Sequence, residues 1–152
     1  MKQFVWIIRG LPGSGKSTFA NNIKKHNEVV VEADQFHMID GEYIYRPEMA
    51  GHAHEWCQSQ VAYFLNQGKS VLIANTFITA RTLVPYYEIA KEFNVEFKIK
   101  TMDTQYNNIH DVPEDVLDRM SIQWESWKNL TLESFIDYYN EFHNIEYMLG
   151  EN

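Results

Sequence analysis

Four short apolar runs alternate, over the first two-thirds of the chain, with stretches whose apolar positions recur every three or four residues. Gln3-Phe4-Val5-Trp6-Ile7-Ile8, Glu28 to Glu32 around three valines, and Ser70-Val71-Leu72-Ile73-Ala74 lack helical spacing and are too short for ordinary helices. Continuous apolar character of that length predicts strands buried on both faces. Val95 to Met102 alternates Val95, Phe97 and Ile99 and predicts a fourth strand. Lys16 to Lys25 carries Phe19 and Ile23 four apart, with lysines where the negative end of a helix dipole favours them. Pro47 to Gln67 repeats Ala50, Ala53, Cys57, Val61, Phe64 and Leu65 and stops at Gly68; Leu83 to Phe93 is a further helix with Pro85 in its first turn. Strand–helix alternation of this kind predicts an α/β fold with right-handed crossovers and a parallel, helix-covered sheet.

After residue 103 the pattern turns helical. A polar connection from Asp103 to Asp111 leads to Pro113-Glu114-Asp115, suited to a first helical turn, and Leu117, Met120, Trp124 and Trp127 form one stripe. Thr131 is a candidate N-cap for a last helix carrying Leu132, Phe135, Ile136, Tyr139 and Phe142. The spacing of the two tryptophans and the late tyrosines assigns them to the core. A base-stacking role would need them exposed.

With 152 residues, 45% of them hydrophobic, the chain fills one domain, taken as 1–152. Charge changes the picture more than size does. Residues 1–100 hold 11 Lys/Arg against 10 Asp/Glu, whereas residues 101–152 hold only Arg119 and Lys128 against 11 acids, a net of −9. That back third repels polyanions, so any nucleic-acid role rests on the front of the chain. A single cysteine, Cys57, excludes an intrachain disulfide and suits a reducing compartment. The apolar start is too short for a signal sequence and no run reaches membrane-spanning length, so the expected location is the cytoplasm.

Gly10-Leu11-Pro12-Gly13-Ser14-Gly15-Lys16-Ser17 satisfies every fixed place of GxxxxGK[ST], and it lies between a predicted buried strand and a predicted helix. There its backbone N–H groups and the helix N-terminus can receive phosphate oxygens. Lys16 is expected to reach the β- and γ-phosphates and Ser17 to ligate Mg²⁺, while Thr18 faces the α-phosphate or caps the turn. Asp34 follows the second strand at the rim where parallel sheets bind ligands. A carboxylate there accepts a hydroxyl proton or holds a metal-bound water, or else it makes an Asx-turn or N-cap. Asn75 and Thr76 end the third strand at the same rim. They either hydrogen-bond the acceptor or a metal-bound water, or close a turn. Arg46 and Arg81 follow rim loops and are candidates for acceptor-phosphate contacts. His52, His54 and Cys57 match no zinc spacing; His54 and Trp56 are expected to set the helix against the acceptor loop.

GLPGSGKST, an Asp-X-Phe at the strand end, His-X-Trp, the VLIANTF strand, a Pro-Tyr pair and the NIHDVPEDVLDRM segment fall in an order that resembles the polynucleotide-kinase-type P-loop proteins over residues 3–125. These are small ATP-binding domains related to the 5′-hydroxyl kinases of RNA and DNA and, more distantly, to zeta-toxin-like kinases. The resemblance implies a nucleoside-kinase-like three-layer α/β/α fold with a helical lid near 103–128 and a helical C-terminus near 131–148. It also implies ATP and Mg²⁺ as cofactors and Asp34 as the general base. His37 falls where such kinases carry an arginine for the acceptor phosphate; a solvent-facing helix-start histidine is the alternative.

Three places depart from that pattern. The third strand ends Ala74-Asn75-Thr76 without the usual aspartate, and Asn107 and Gln123 stand where arginines are common. Arg119 is then the cation left to stabilise the migrating phosphoryl group, unless it pairs with Asp115 four residues before it. The third departure is the acidic back third. The expected activity is transfer of the γ-phosphate of ATP to a hydroxyl, foremost a 5′-hydroxyl on RNA, DNA or a nucleotide. The alternatives are a kinase for a nucleoside, sugar or antibiotic, and a weakened ATP-binding module with a protein partner.

Overall fold

The computed structural model of the chain describes residues 2–103 and 112–150, the last eight as helix backbone alone. Its strands are β1 (Phe4–Arg9), β2 (Glu28–Val31), β3 (Met38–Ile39), β4 (Glu42–Tyr43), β5 (Ser70–Ala74) and β6 (Glu96–Thr101). Its helices are α1 (Lys16–Ile23), α2 (Ala50–Asn66), α3 (Val84–Glu92), α4 (Glu114–Trp127) and α5 (Leu132–Gly150). Four strands pair in parallel in the order β2-β5-β1-β6, so consecutive strands are joined by helical crossovers, as the alternation predicted.

The pleat sorts the apolar residues of each strand onto two faces. Val5, Ile7, Val71, Ile73, Val31 and Phe97 pack with Ala53, Cys57, Val61 and Leu65 of α2, Tyr86 and Ala90 of α3, and Phe135 and Tyr139 of α5. Ile8, Leu72 and Ala74 point the other way, onto Ala20, Phe19 and Ile23 of α1. The sheet is therefore the middle of three layers. Such two-sided burial is why these strands read as unbroken apolar runs.

Several boundaries differ from expectation. α1 ends at Ile23, because the chain turns extended at Lys24 (φ −61°, ψ 141°), so Lys24 and Lys25 lie beyond the helix and do not face its last turn. Pro47–Met49 forms a separate 3-10 turn ahead of α2. A two-stranded hairpin, β3–β4, stands between the sheet and α2 where no strand was predicted. Thr131 caps α5, its hydroxyl accepting the Ser134 N–H at 3.1 Å. Trp124 is buried against Leu11 and Ile78, which seats α4 on the rim beside the glycine-rich loop. Asn107 and the first part of the lid-like segment lie outside the described residues.

Candidate active site

The carboxyl ends of β1, β2, β5 and β6 form the rim on which the site is built. Gly10 N–H donates to the Thr76 carbonyl (3.1 Å), Asn75 N–H to Ile8 (3.3 Å) and Met102 N–H to Arg9 (2.7 Å), so the base of the loop is tied to both neighbouring strands. A β-carbon at position 10 would collide with the Ser14 hydroxyl and stand 3.0 Å from the Met102 carbonyl, so only glycine fits. Gly13 (φ 80°) and Gly15 (φ 89°) take left-handed conformations that curl the loop over the start of α1. No side chain caps α1 and no acid stands in its first turn, which leaves its leading N–H groups facing the cup.

Arg9, fully buried at the end of β1, holds the opposite wall. Its Nε donates to the Phe77 carbonyl and its Nη2 to the Ile78 carbonyl, both at 2.9 Å, and Nη1 reaches the Thr101 hydroxyl at 3.2 Å. The guanidinium also lies 4.4 Å from the Trp124 ring centre. Those acceptors are neutral, and desolvation lowers the Arg9 pKa to about 10. The clamp stabilises an unusual turn, since Phe77 has a positive φ of 45°.

Lys16 is folded back over its own loop, its Nζ donating to the carbonyls of Gly10 and Leu11 at 2.9 Å each. Burial pulls its pKa down to about 8, against the upward pull of Glu32 and Asp34. An ammonium so placed is poised to exchange two carbonyls for phosphate oxygens. Both carboxylates favour its charged form, and Glu32 is tied to the start of α1 through Ser17.

The two acids owe their position to a 3-10 turn over Ala33–His37. Glu32 is its N-cap and completes a capping box with Gln35, whose Oε1 accepts the Glu32 N–H at 3.2 Å. The Glu32 carboxylate also accepts a hydrogen bond from the Ser17 hydroxyl. Asp34 projects from the turn into solvent, where its Oδ1 accepts from the Tyr43 hydroxyl at 3.4 Å. Burial, assisted by Asp34, raises the Tyr43 pKa to about 12, so this phenol stays a donor at neutral pH.

Glu32 is a site residue that was not singled out from the sequence. Its signal was the Glu-X-Asp spacing at the end of a buried strand, which puts two carboxylates at the ligand-binding rim. Ser17 and Glu32 together make an all-oxygen donor pair, the chemistry a hard cation such as Mg²⁺ requires. Among the described residues no three His, Cys, Asp or Glu side chains converge on one point. The pair therefore fits an ion that takes few protein ligands and completes its shell with phosphate and water.

Of the other predicted site residues, Asn75 turns inward. Its Oδ1 accepts the Ala33 N–H at 2.9 Å and its Nδ2 contacts Cys57 Sγ at 3.7 Å, which suspends the Asp34 turn from the end of β5. Thr76 lends its carbonyl to Gly10, and Thr18 is exposed on α1. His37 is buried rather than solvent-facing, edge-on to Tyr43 and Tyr45 and accepting the Arg46 N–H on Nδ1 at 3.4 Å. The Arg46 side chain folds onto Phe36, donating to its carbonyl at 2.9 Å, with its guanidinium 5.0 Å from the ring centre. Trp56 of α2 meets the same ring at 6.2 Å. Arg81 is exposed in the turn that precedes α3. Arg119 lies 3.8 Å from Asp115 on the exposed face of α4.

A family model described as an AAA domain matches residues 5–111. The human NEDD4-binding protein 2 is 29% identical over 126 residues, covering 75% of this chain and 7% of that protein. A chain of the Pnkp1/Rnl/Hen1 RNA repair complex superimposes with a TM-score of 0.67 at 22% identity, over 82% of this chain and 45% of the other. APS kinase CysC of Mycobacterium tuberculosis, in complex with AMPPNP and APS, superimposes at 0.50 with 16% identity, over 78% of this chain and 68% of that one. The chain thus spans less than half the length of the first two relatives. The architecture is that of the P-loop kinases. No described helix is long and apolar enough to cross a membrane.

Proposed function

The chain belongs to the AAA domain family, and we propose that it is an ATP-dependent phosphotransferase acting on a hydroxyl, specifically the 5′-hydroxyl of a nucleic-acid or nucleotide end. The observation that carries this reading is the Ser17–Glu32 hydrogen bond, which ties the turn bearing Asp34 to the start of the helix that follows the glycine loop. The nucleic-acid end draws support from the RNA repair complex among the fold's relatives.

The loop N–H groups and the start of α1 hold the β- and γ-phosphates, and Lys16 leaves Gly10 and Leu11 to neutralise them. Asp34 takes the proton of the acceptor hydroxyl as that oxygen bonds to the γ-phosphorus. The bond from the γ-phosphorus to the bridging oxygen breaks, leaving ADP and a phosphate monoester. Ser17 and Glu32 would hold Mg²⁺, which would supply positive charge beside the phosphates. Arg119 lies in the exposed pair with Asp115 and contributes only by leaving it.

Labelled γ-phosphate from ATP is expected to appear on a short 5′-hydroxyl oligonucleotide. Lys16→Ala abolishes the transfer; Asp34→Asn keeps ATP affinity and loses about two to four decades of rate, the usual worth of a general base. An Asp34→Asn protein that turns over like the parent removes the assigned role. The inward fold of Arg46 favours a second reading, a small uncharged hydroxyl compound as acceptor. Phosphorylation of a free nucleoside or sugar, with the oligonucleotide failing to compete, selects it.

A further inference from the structure

Of the large apolar side chains left exposed among the described residues, Met38, Ile39, Tyr43, Ile44 and Tyr45 cluster on the hairpin β3–β4 and its exit, whereas Tyr63, Ile122 and Leu132 stand apart on three different helices. The hairpin turns through Asp40 (φ 50°) and Gly41 (φ 84°), the two-residue connection whose twist matches paired strands. Met38 stands opposite Tyr43 across the ladder, so both lie on one face. Tyr43 and Tyr45 meet the buried His37 imidazole edge-on, at 6.1 and 5.0 Å between ring centres, yet remain 51% and 56% exposed. Their rings are anchored from behind and open in front.

This surface is continuous with the reacting groups, because the Tyr43 hydroxyl donates to Asp34. A hydroxyl brought to Asp34 therefore arrives one phenol length from the hairpin. In a nucleoside the base stands about one ribose from its 5′-oxygen, which matches that reach. The flanking groups Asp40 and Glu42 are acidic and exposed, so the hairpin repels phosphates and favours a neutral, flat group. We propose that the hairpin seats the base of the nucleotide bearing the acceptor hydroxyl, by stacking on Tyr43 and Tyr45. This deepens the phosphotransferase reading above and rests on it. Aromatic stacking tolerates any base, so the site recognises an end rather than a sequence.

The test is direct binding of two 3′-fluorescein trinucleotides with 5′-hydroxyl ends, one carrying a 5′-terminal base and one abasic there, in Mg²⁺ and AMPPNP. The parent is expected to prefer the base-bearing end by about 5- to 100-fold, the range that stacking of one base supplies. That ratio holds as salt rises, because no phosphate contact contributes to it. Tyr45→Ala and Tyr45→Leu bring the ratio close to one with AMPPNP affinity unchanged, and Tyr43→Phe, which keeps the ring and loses the hydroxyl, retains it. Equal binding of the two ends by the parent, binding of neither, or an undiminished ratio in both Tyr45 variants overturns the platform. Base-dependent binding without any phosphate transfer keeps the platform and overturns the transferase reading; transfer without base preference does the reverse.

Discussion

Raising the pH from 7 to 9.5 should weaken ATP binding through Lys16 alone. In the free protein the ammonium is held among loop carbonyls with its pKa lowered to about 8 by burial. Phosphate oxygens arriving beside it favour the charged form and raise that pKa again. ATP thus binds the protonated protein, and at pH 8 about half a proton is taken up per ATP bound. Above about pH 8.5 the dissociation constant rises ~10-fold per pH unit until the pKa of the complex is reached. The terminal phosphate has its second pKa near 6 and adds no slope there. The same shift acts on folding. A lysine at about 8 folded against 10.5 unfolded leaves the unfolded chain with more protons between those values, so the free protein gains stability as pH rises through that window. Calorimetric titration of ATP in two buffers of different ionisation enthalpy reads the proton uptake directly. Lys16→Arg, charged at every pH used, serves as the control with a flat profile. A parent whose affinity is constant from pH 7 to 9.5, with no proton uptake, refutes the buried, carbonyl-held state of Lys16.

Arg9→Met strands the Phe77 and Ile78 carbonyls and the Thr101 hydroxyl. At roughly 1 kcal/mol for each lost hydrogen bond, urea unfolding should show a loss of about 3 kcal/mol; a loss under about 0.5 would mean that water replaces the clamp without cost. Gly10→Ala forces a β-carbon against Ser14 and the Met102 carbonyl. About 1–3 kcal/mol of overpacking is expected in thermal melts, with ATP affinity falling because the loop is pushed off the rim. Glu32→Gln removes a charge and leaves the fold, so nucleotide titrations with and without Mg²⁺ should converge, whereas the parent keeps a clear difference.

Strands buried on both sides and the glycine loop were readable because each rests on a strong local constraint. An all-apolar run has few alternatives in a helix-covered sheet, and the loop's glycines are required by backbone angles and by the close approach of Met102. The hairpin β3–β4 went unread although Asp40-Gly41 is a strong turn dipeptide, because strands of two residues carry no period to detect. Orientation was harder still. Arg9 looks like the polar end of a strand, and only the loop after β5, folding back over it, makes it a buried clamp. His37 and Arg46 were candidates for contact with the acceptor phosphate; the unread hairpin folds Tyr43 and Tyr45 back onto His37, and Phe36 takes the Arg46 guanidinium. Charge type and rim position are local properties, whereas the direction of a long side chain depends on what packs around it.

The lack of an aspartate at the end of β5 and the presence of Glu32 at the end of β2 are two sides of one arrangement. Those strand ends are neighbours, Val31 pairing with Ile73, so a carboxylate can enter the space beside Ser17 from either. Were position 75 an aspartate, it would crowd a third negative charge against Glu32 and Asp34, and like charges so close raise the cost of keeping them all ionised. The amide avoids that cost. It also gives the Ala33 N–H an acceptor and offers Cys57 a donor, so the turn carrying Asp34 hangs from the central sheet rather than from a mobile loop. Glutamate is the longer side chain and reaches Ser17 while its backbone caps the same turn. One residue therefore links the proposed cation site to the placement of the proposed base, and Asn75 fixes that link from behind. A departure that first suggests a weakened site is, in this geometry, compatible with a complete one.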